Sequence, residues 1–320
     1  MKTTAYVSHP DCPRHDTGWG HPDHQGRLPA VTRAVHRDME ALWEPLLQVE
    51  AVPAAEADLR LVHTARHVAE VQATAMLAGA QGKVLALGGV PVSGASWDAA
   101  LAAAGVGITA VETVLAGEAR NAFAAARPPG RGALPDAAGG FSLFNNVAVA
   151  ARHLRERRGS PRVLVVSWGS EPADVIRQAL GADPAVSVLS LHAAPEDPIA
   201  GSAHGDAALP AGSDGGAFAA AQREALEAIP PEESPDFVLL SAGFDILTGD
   251  PLGRLAVEPD DVYLLTRELR EWADARAGGR LVSILEGGYD AAATAKAVVQ
   301  HLRALAGVEA MQVGRLGRGG

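Results

Sequence analysis

Three short runs constrain this chain most. They are "VLVV" at 163–166, "FVLLSA" at 237–242 and "LVSIL" at 281–285. Each is nearly continuous in apolar residues rather than alternating. Strands of that kind are buried on both faces, as in parallel sheets covered by helices. Further strand candidates are Thr4–Val7, Val49–Val52, Asn121–Ala126 and Val186–Leu191. Helical patterns lie between them. Ser96 is placed to cap "WDAALAAAGVGITAVETVLAG", which stops at Gly117, and Asn145 or Asn146 to cap "VAVAARHLRERR". Pro172 suits the first turn of a helix over Ala173–Leu180, and Pro259 precedes a helix opening on Asp260 and Asp261. Such alternation predicts an α/β fold with a mainly parallel sheet and helices on both faces. We expect a single domain over 1–320. The stretch Ala194–Gly216 reads as one long loop.

With 320 residues, 48% of them apolar, the chain can bury a large core. Its formal net charge of −11 argues against a nucleic-acid partner, since phosphate neutralisation needs clustered Lys and Arg. The densest basic group, Arg152, Arg155, Arg157 and Arg158, has the spacing of a solvated helix face. A single cysteine, Cys12, excludes a disulfide framework within the chain and a Cys-rich metal site. No uncharged apolar run approaches the ~20 residues of a membrane span; the longest, around Leu101–Leu115, carries Glu112. We expect no membrane partner and a cytoplasmic location.

In an open α/β sheet the loops after the strands are where ligands bind. The loop after Val163–Val166 offers little chemistry: Ser167, Gly169, Ser170, the single carboxylate Glu171, and Pro172. No "GxxxxGK" or "GxSxG" pattern occurs, so phosphate-loop and serine-hydrolase readings have no motif. His9, His15, His21 and His24 cluster in sequence without a zinc spacing, and are expected at a rim or surface.

Three segments carry a specific resemblance: "RPPGRGALPDAAGGFSLFNNVAVAARH" (127–153), "SAGFDILTGDPLG" (241–253) and "LEGGYD" (285–290). "HDTGWGHPDHQGRL" near the start and "LVHT" at 61–64 add to it. In this order they are similar to the histone deacetylase and acetylpolyamine amidohydrolase family. The resemblance implies an arginase–deacetylase fold with about eight parallel strands. It also implies zinc-assisted hydrolysis of an acetyl-amide. There, three protein ligands leave one position open for water, whose pKa the metal lowers.

Carried over position by position, the resemblance matches the second zinc aspartate as Asp245. It matches the oxyanion tyrosine as Tyr289 and the substrate-tunnel pair as Gly140 and Phe141. Gly287 and Gly288 allow close backbone approach beside that pocket. The other positions depart. The tandem catalytic histidines fall on Arg131 and Gly132. The aspartate behind the metal falls on Ser167, the first zinc aspartate on Gly169, the zinc histidine on Glu171 and the next histidine on Pro172. The second tunnel aromatic has no counterpart in "AAPEDPIAG".

Loss of a group behind a metal costs ~10–100-fold in affinity or activity. An acid–base group is worth ~10²–10⁴ in rate. Arg131 stays protonated, is a poor base and would repel a cation; it can instead pair with Asp245 or Glu171. We therefore expect a catalytically inactive family member without zinc. It would bind an acyl-lysine- or polyamine-like ligand in a remnant pocket, or a protein partner. The alternative is an active amide hydrolase whose zinc site has been rebuilt from Asp245, Glu171 and His204 or Asp206. A purely structural role, with the pocket filled by Arg131, is a third reading. The bland roles are a helix N-terminal acid for Glu171, packing at a strand end for Tyr289, and a structural histidine for His192.

Overall fold

The computed structural model describes residues 3–194 and 206–311. Its centre is an eight-stranded, wholly parallel sheet. The strands are β1 (Thr3–Ser8), β2 (Leu46–Glu50), β5 (Ala119–Ala124), β6 (Val163–Trp168), β7 (Val186–Ala193), β8 (Ala207–Leu209), β9 (Phe237–Ala242) and β10 (Leu281–Leu285). β3 (Leu85–Leu87) and β4 (Val90–Val92) form a separate antiparallel hairpin. The sheet order is β2-β1-β5-β10-β9-β6-β7-β8. Every residue of β6, β9 and β10 is buried, as their unbroken apolar runs require.

Helices cover both faces. On one, Arg27–Arg37, Ala291–Ala306, Asp261–Arg276 and Gly215–Glu227 pack in a row. On the other, Ser96–Leu115, Asn146–Arg152 and Asp174–Leu180 do the same, with Ala65–Gln81 outside them. The Ala- and Gly-rich helix Ser96–Leu115 is long and apolar enough to cross a membrane by length and composition. It is a core helix here: Ala99, Ala102, Ala103, Val106 and Ala110 are fully buried against the sheet.

Several sequence expectations need correction. The strand expected at Val49–Val52 begins at Leu46 and ends at Glu50, and the one at Asn121–Ala126 spans Ala119–Ala124. Ser96 lies inside its helix, after Ala95. Its hydroxyl accepts from Ser93 N at 2.7 Å and meets His15 Nδ1 at 2.8 Å, which ties the helix start to the N-terminal segment. Asn145, not Asn146, caps its helix, accepting from Ala148 N at 3.1 Å. The expected loop Ala194–Gly216 contains β8, which pairs with Leu191–Ala193. Three arginines of the basic cluster are ion-paired: Arg152 and Arg155 meet Asp183, and Arg158 meets Glu112.

Candidate ligand site at the strand ends

The four central strands, β5, β10, β9 and β6, all run in one direction. Their C-terminal ends therefore deliver four loops to one place. β5 leads to Arg127–Ala133, β10 to Glu286–Tyr289, β9 to Gly243–Asp245 and β6 to Gly169–Pro172. The end of β6 is held by Trp168, fully buried, whose Nε1 donates to Gln222 at 2.9 Å.

Arg131 enters this junction. Its Nη2 donates to the Glu171 carbonyl at 2.5 Å, and its Nη1 lies 3.6 Å from Asp245 Oδ2. Both side chains are largely buried, at 13% and 9% exposed. A Cβ added to Gly169 would overlap the guanidinium, so the missing side chain at 169 is the room in which the Arg131 head sits. Asp245 Oδ2 accepts a hydrogen bond from Ser170 N at 3.0 Å, and Ser170 Oγ donates to the Asp245 carbonyl at 2.7 Å. Its Oδ1 is buried without a partner. The hydroxyls of Ser167 and Ser241, also buried without a partner, lie side by side in the register of β6 and β9.

Gly132 and Gly140 touch through their backbones. A Cβ at Gly132 would lie 2.5 Å from the Gly139 carbonyl and 2.8 Å from Gly140 Cα. A histidine there would force the 139–140 turn away. That turn places Phe141 at φ +65°, the one non-glycine with positive φ among the described residues. An outlier of this kind costs on the order of 1–2 kcal/mol and persists only where its surroundings hold it. Here the Phe141 ring is held edge-on between His21 at 4.5 Å and Tyr289 at 5.5 Å. Burial pushes the Tyr289 phenol up, and the Arg27 guanidinium lies 4.8 Å from its ring centroid.

Two groups that sequence reasoning did not single out complete the junction. Glu286 is fully buried. Its Oε2 accepts from Gly130 N at 2.5 Å and Arg131 N at 3.0 Å, and so sets the loop that carries the guanidinium. Burial pushes its carboxyl up to about 7. Asp23, also fully buried, meets both Arg27 and Arg127. Burial would raise it, but the two guanidinium groups outweigh that and hold it below the usual carboxylate range. The available signal was a charged residue wedged between a buried strand and a glycine pair in "LEGGYD", and an acid–base pair four residues apart in "DHQGR".

The remaining candidates fall as follows. Glu171 is exposed and three residues ahead of its helix, which starts at Asp174, so it is not a helix N-terminal acid. Pro172 is likewise outside that helix. His192 bonds Ser190 Oγ at 3.0 Å on β7, a structural contact. Asp206 ion-pairs with Arg177, which engages it away from any rebuilt site. His204 and the loop expected to supply the second tunnel wall lie outside the described residues. Of the N-terminal histidines, His21 and His24 are at the rim, whereas His15 is buried in the core, where burial lowers it to about 4.

The chain belongs to the histone deacetylase family: the family model named "Histone deacetylase domain" matches residues 21–305. Human polyamine deacetylase HDAC10 is 32% identical over 325 aligned residues, covering 95% of this chain and 48% of that protein. The histone deacetylase-like amidohydrolase of Pseudomonas aeruginosa is 34% identical, covering 80% of this chain and 69% of its own length. The crystal structure of the HDA15 HD domain superposes with a TM-score of 0.84 at 28% identity, covering 96% of this chain and 89% of that one. The expected arginase–deacetylase fold is therefore the fold of this chain. The chain spans about half the length of HDAC10.

The family's zinc can be tested against these residues. Catalytic zinc needs three protein ligands converging at ~2.0–2.3 Å. Among the described residues no three of His, Cys, Asp and Glu gather in that way. Asp245, the carboxylate in the loop after β9, is already faced by a guanidinium. These residues do not fit the metal.

Proposed function

We propose that this chain is a non-catalytic member of the deacetylase family, which keeps the scaffold and a remnant acyl pocket without zinc-assisted hydrolysis. The observation that carries this reading is the Arg131 guanidinium, seated between Asp245 and the Glu171 carbonyl in the room left by Gly169. A tethered cation there compensates Asp245 without a metal, and repels a second cation. Gly132 argues the same way: the turn packed against it leaves no room for a catalytic imidazole. The names of the relatives, a polyamine deacetylase and an amidohydrolase, support a slender acylated amine or its acyl part as the ligand class. A protein partner at the same rim is the companion proposal, and a cytoplasmic location remains our expectation from the sequence.

The deciding measurement is metal content by elemental mass spectrometry after incubation with zinc and desalting. We expect well under one equivalent, and no hydrolysis of acetyl-lysine or acetylpolyamine substrates. One tightly held equivalent, lost on Asp245→Ala, would overturn the reading in favour of a rebuilt metal site.

A further inference from the structure

The helix Ala65–Gln81 lies outside the layer that covers its face of the sheet. Its inner side is spent on the core: His67, Val68, Val71, Ala75 and Ala78 are buried. The outer side of such a helix is ordinarily polar. Here Ala69, Ala73, Met76, Leu77 and Ala80 all face solvent, and no charged residue occurs between Val71 and Gly82. Met76 and Leu77 are 69% and 51% exposed, and Val84, just past the helix, is 44% exposed. These are three of the eight large apolar side chains exposed among the described residues, gathered on one helix and the turn that ends it. Single exposed apolar residues are ordinary, whereas a contiguous patch marks an interaction surface.

The order of residues points to the partner. Read outward from the Met76–Leu77 step, it is nearly the same in both directions. Ala73 matches Ala80, Gln72 matches Gln81, Ala69 matches Val84, and Glu70 has its opposite charge in Lys83. A two-fold axis at that step lays two copies of the helix antiparallel, each residue level with its match on the other copy. An isologous interface requires that self-complementarity. Alanines at 73 and 80 let the two backbones approach, and Met76 and Leu77 fill the centre. The charges agree in sign: Glu70 of one copy comes level with Lys83 of the other, twice. Lys83 is exposed and has no ion-pair partner among the described residues, and Glu70 meets Arg66 at 3.7 Å. Two copies that each carry a net charge of −11 repel overall, and this stretch lets them meet without opposing like charges. We propose that the chain self-associates through the outer face of Ala65–Gln81 as an antiparallel two-fold dimer. One helix per copy is a small contact, so the dimer belongs to the weak, reversible class. The inference does not depend on whether the strand ends hold a metal.

The test is sedimentation velocity on the full chain, from low- to high-micromolar concentration. We expect a reversible monomer–dimer equilibrium with a micromolar Kd. Met76→Glu sets two carboxylates against each other at the axis and should raise Kd about tenfold or more. Its side chain is exposed, so the urea midpoint should not move. Glu70→Lys and Lys83→Glu should each weaken the dimer several-fold, and the double exchange should recover it. The register has its own readout: an equimolar mixture of Ala73→Cys and Ala80→Cys chains should form an intermolecular disulfide faster than either chain alone. A monomer at every concentration overturns the proposal, and one that floats with phosphatidylcholine vesicles assigns the face to lipid instead. A dimer indifferent to Met76→Glu, a double exchange no better than its single members, or a mixture that cross-links no faster overturns it as well.

Discussion

Two acid–guanidinium clusters lie at the same end of the sheet, and they are built differently. In one, Asp23 meets Arg27 and Arg127, all within 3% of full burial. Their donors are spent on backbone. Arg27 reaches the Gly288 carbonyl at 2.6 Å and the Glu286 carbonyl at 2.8 Å. Arg127 reaches the His15 carbonyl at 2.6 Å and the Asp23 carbonyl at 2.7 Å. In the other, Arg131 and Asp245 face each other at 3.6 Å, and Arg131 Nε and Nη1 make no hydrogen bond among the described residues. Each carboxylate keeps one buried oxygen without a partner, Oδ2 of Asp23 and Oδ1 of Asp245. The first is a strut that ties the N-terminal segment to the loops after β5 and β10. The second has unspent hydrogen-bonding capacity where the fold presents ligands. Burial and the saturation of the guanidinium donors, rather than the presence of charge, separate the two clusters.

The comparison breaks most easily by removing one cation from each cluster. Arg127→Met leaves Asp23 buried beside a single guanidinium and strands two carbonyls, which should cost about 3–5 kcal/mol in urea unfolding. Arg131→Met leaves Asp245 with the Ser170 N–H, and should cost about 1 kcal/mol. Equal losses would erase the distinction.

Glu286 joins the two clusters, accepting from Arg131 N on its carboxylate and from Arg27 on its carbonyl. Its folded pKa of about 7 is above the ordinary 4.5. The native state therefore holds a proton that the unfolded chain releases. Stability contributed by this carboxyl is full below pH 4.5 and falls as pH rises toward 7, by on the order of 2–3 kcal/mol. Urea midpoints measured from pH 5 to 8 should decline, and Glu286→Gln should flatten the decline. An unchanged slope in that variant would remove Glu286 from the account.

The smaller contrast is steric. Gly132→Ala sets a methyl group against the Gly139 carbonyl, fixed backbone, and should cost about 1–3 kcal/mol. Gly169→Ala meets the movable end of Arg131 first, and should cost less than about 1 kcal/mol while displacing the guanidinium. If Gly169→Ala costs as much as Gly132→Ala, the seat assigned to Arg131 is wrong.

Much of this was legible in the chain. The runs at 163–166, 237–242 and 281–285 specify buried parallel strands, because a residue buried on either face must be apolar. Asp245, Arg131, Gly169 and Tyr289 were legible as one constellation through the resemblance of their motifs. The short strands were not. β8 is three residues long and its pairing with β7 is tertiary. The β3–β4 hairpin did leave a sign, the Gly88–Gly89 pair between two apolar triplets. Ser96 was misread because its hydroxyl serves His15, 81 residues away, and no local rule contains that partner.

The sequence by itself determined the sheet, the family and the glycines at 132 and 169, since these depend on residue type and order. It also determined that a cationic residue, Arg131, follows Pro128, Pro129 and Gly130. Only the tertiary structure decided where that cation points. Arg131 could have faced solvent, Glu171 or Asp245. Glu286 holds its loop through two backbone N–H groups, the space at Gly169 admits its head, and Gly132 lets the next turn close beside it. Those are relations among residues up to 156 positions apart, and they exist only once four parallel strands end together.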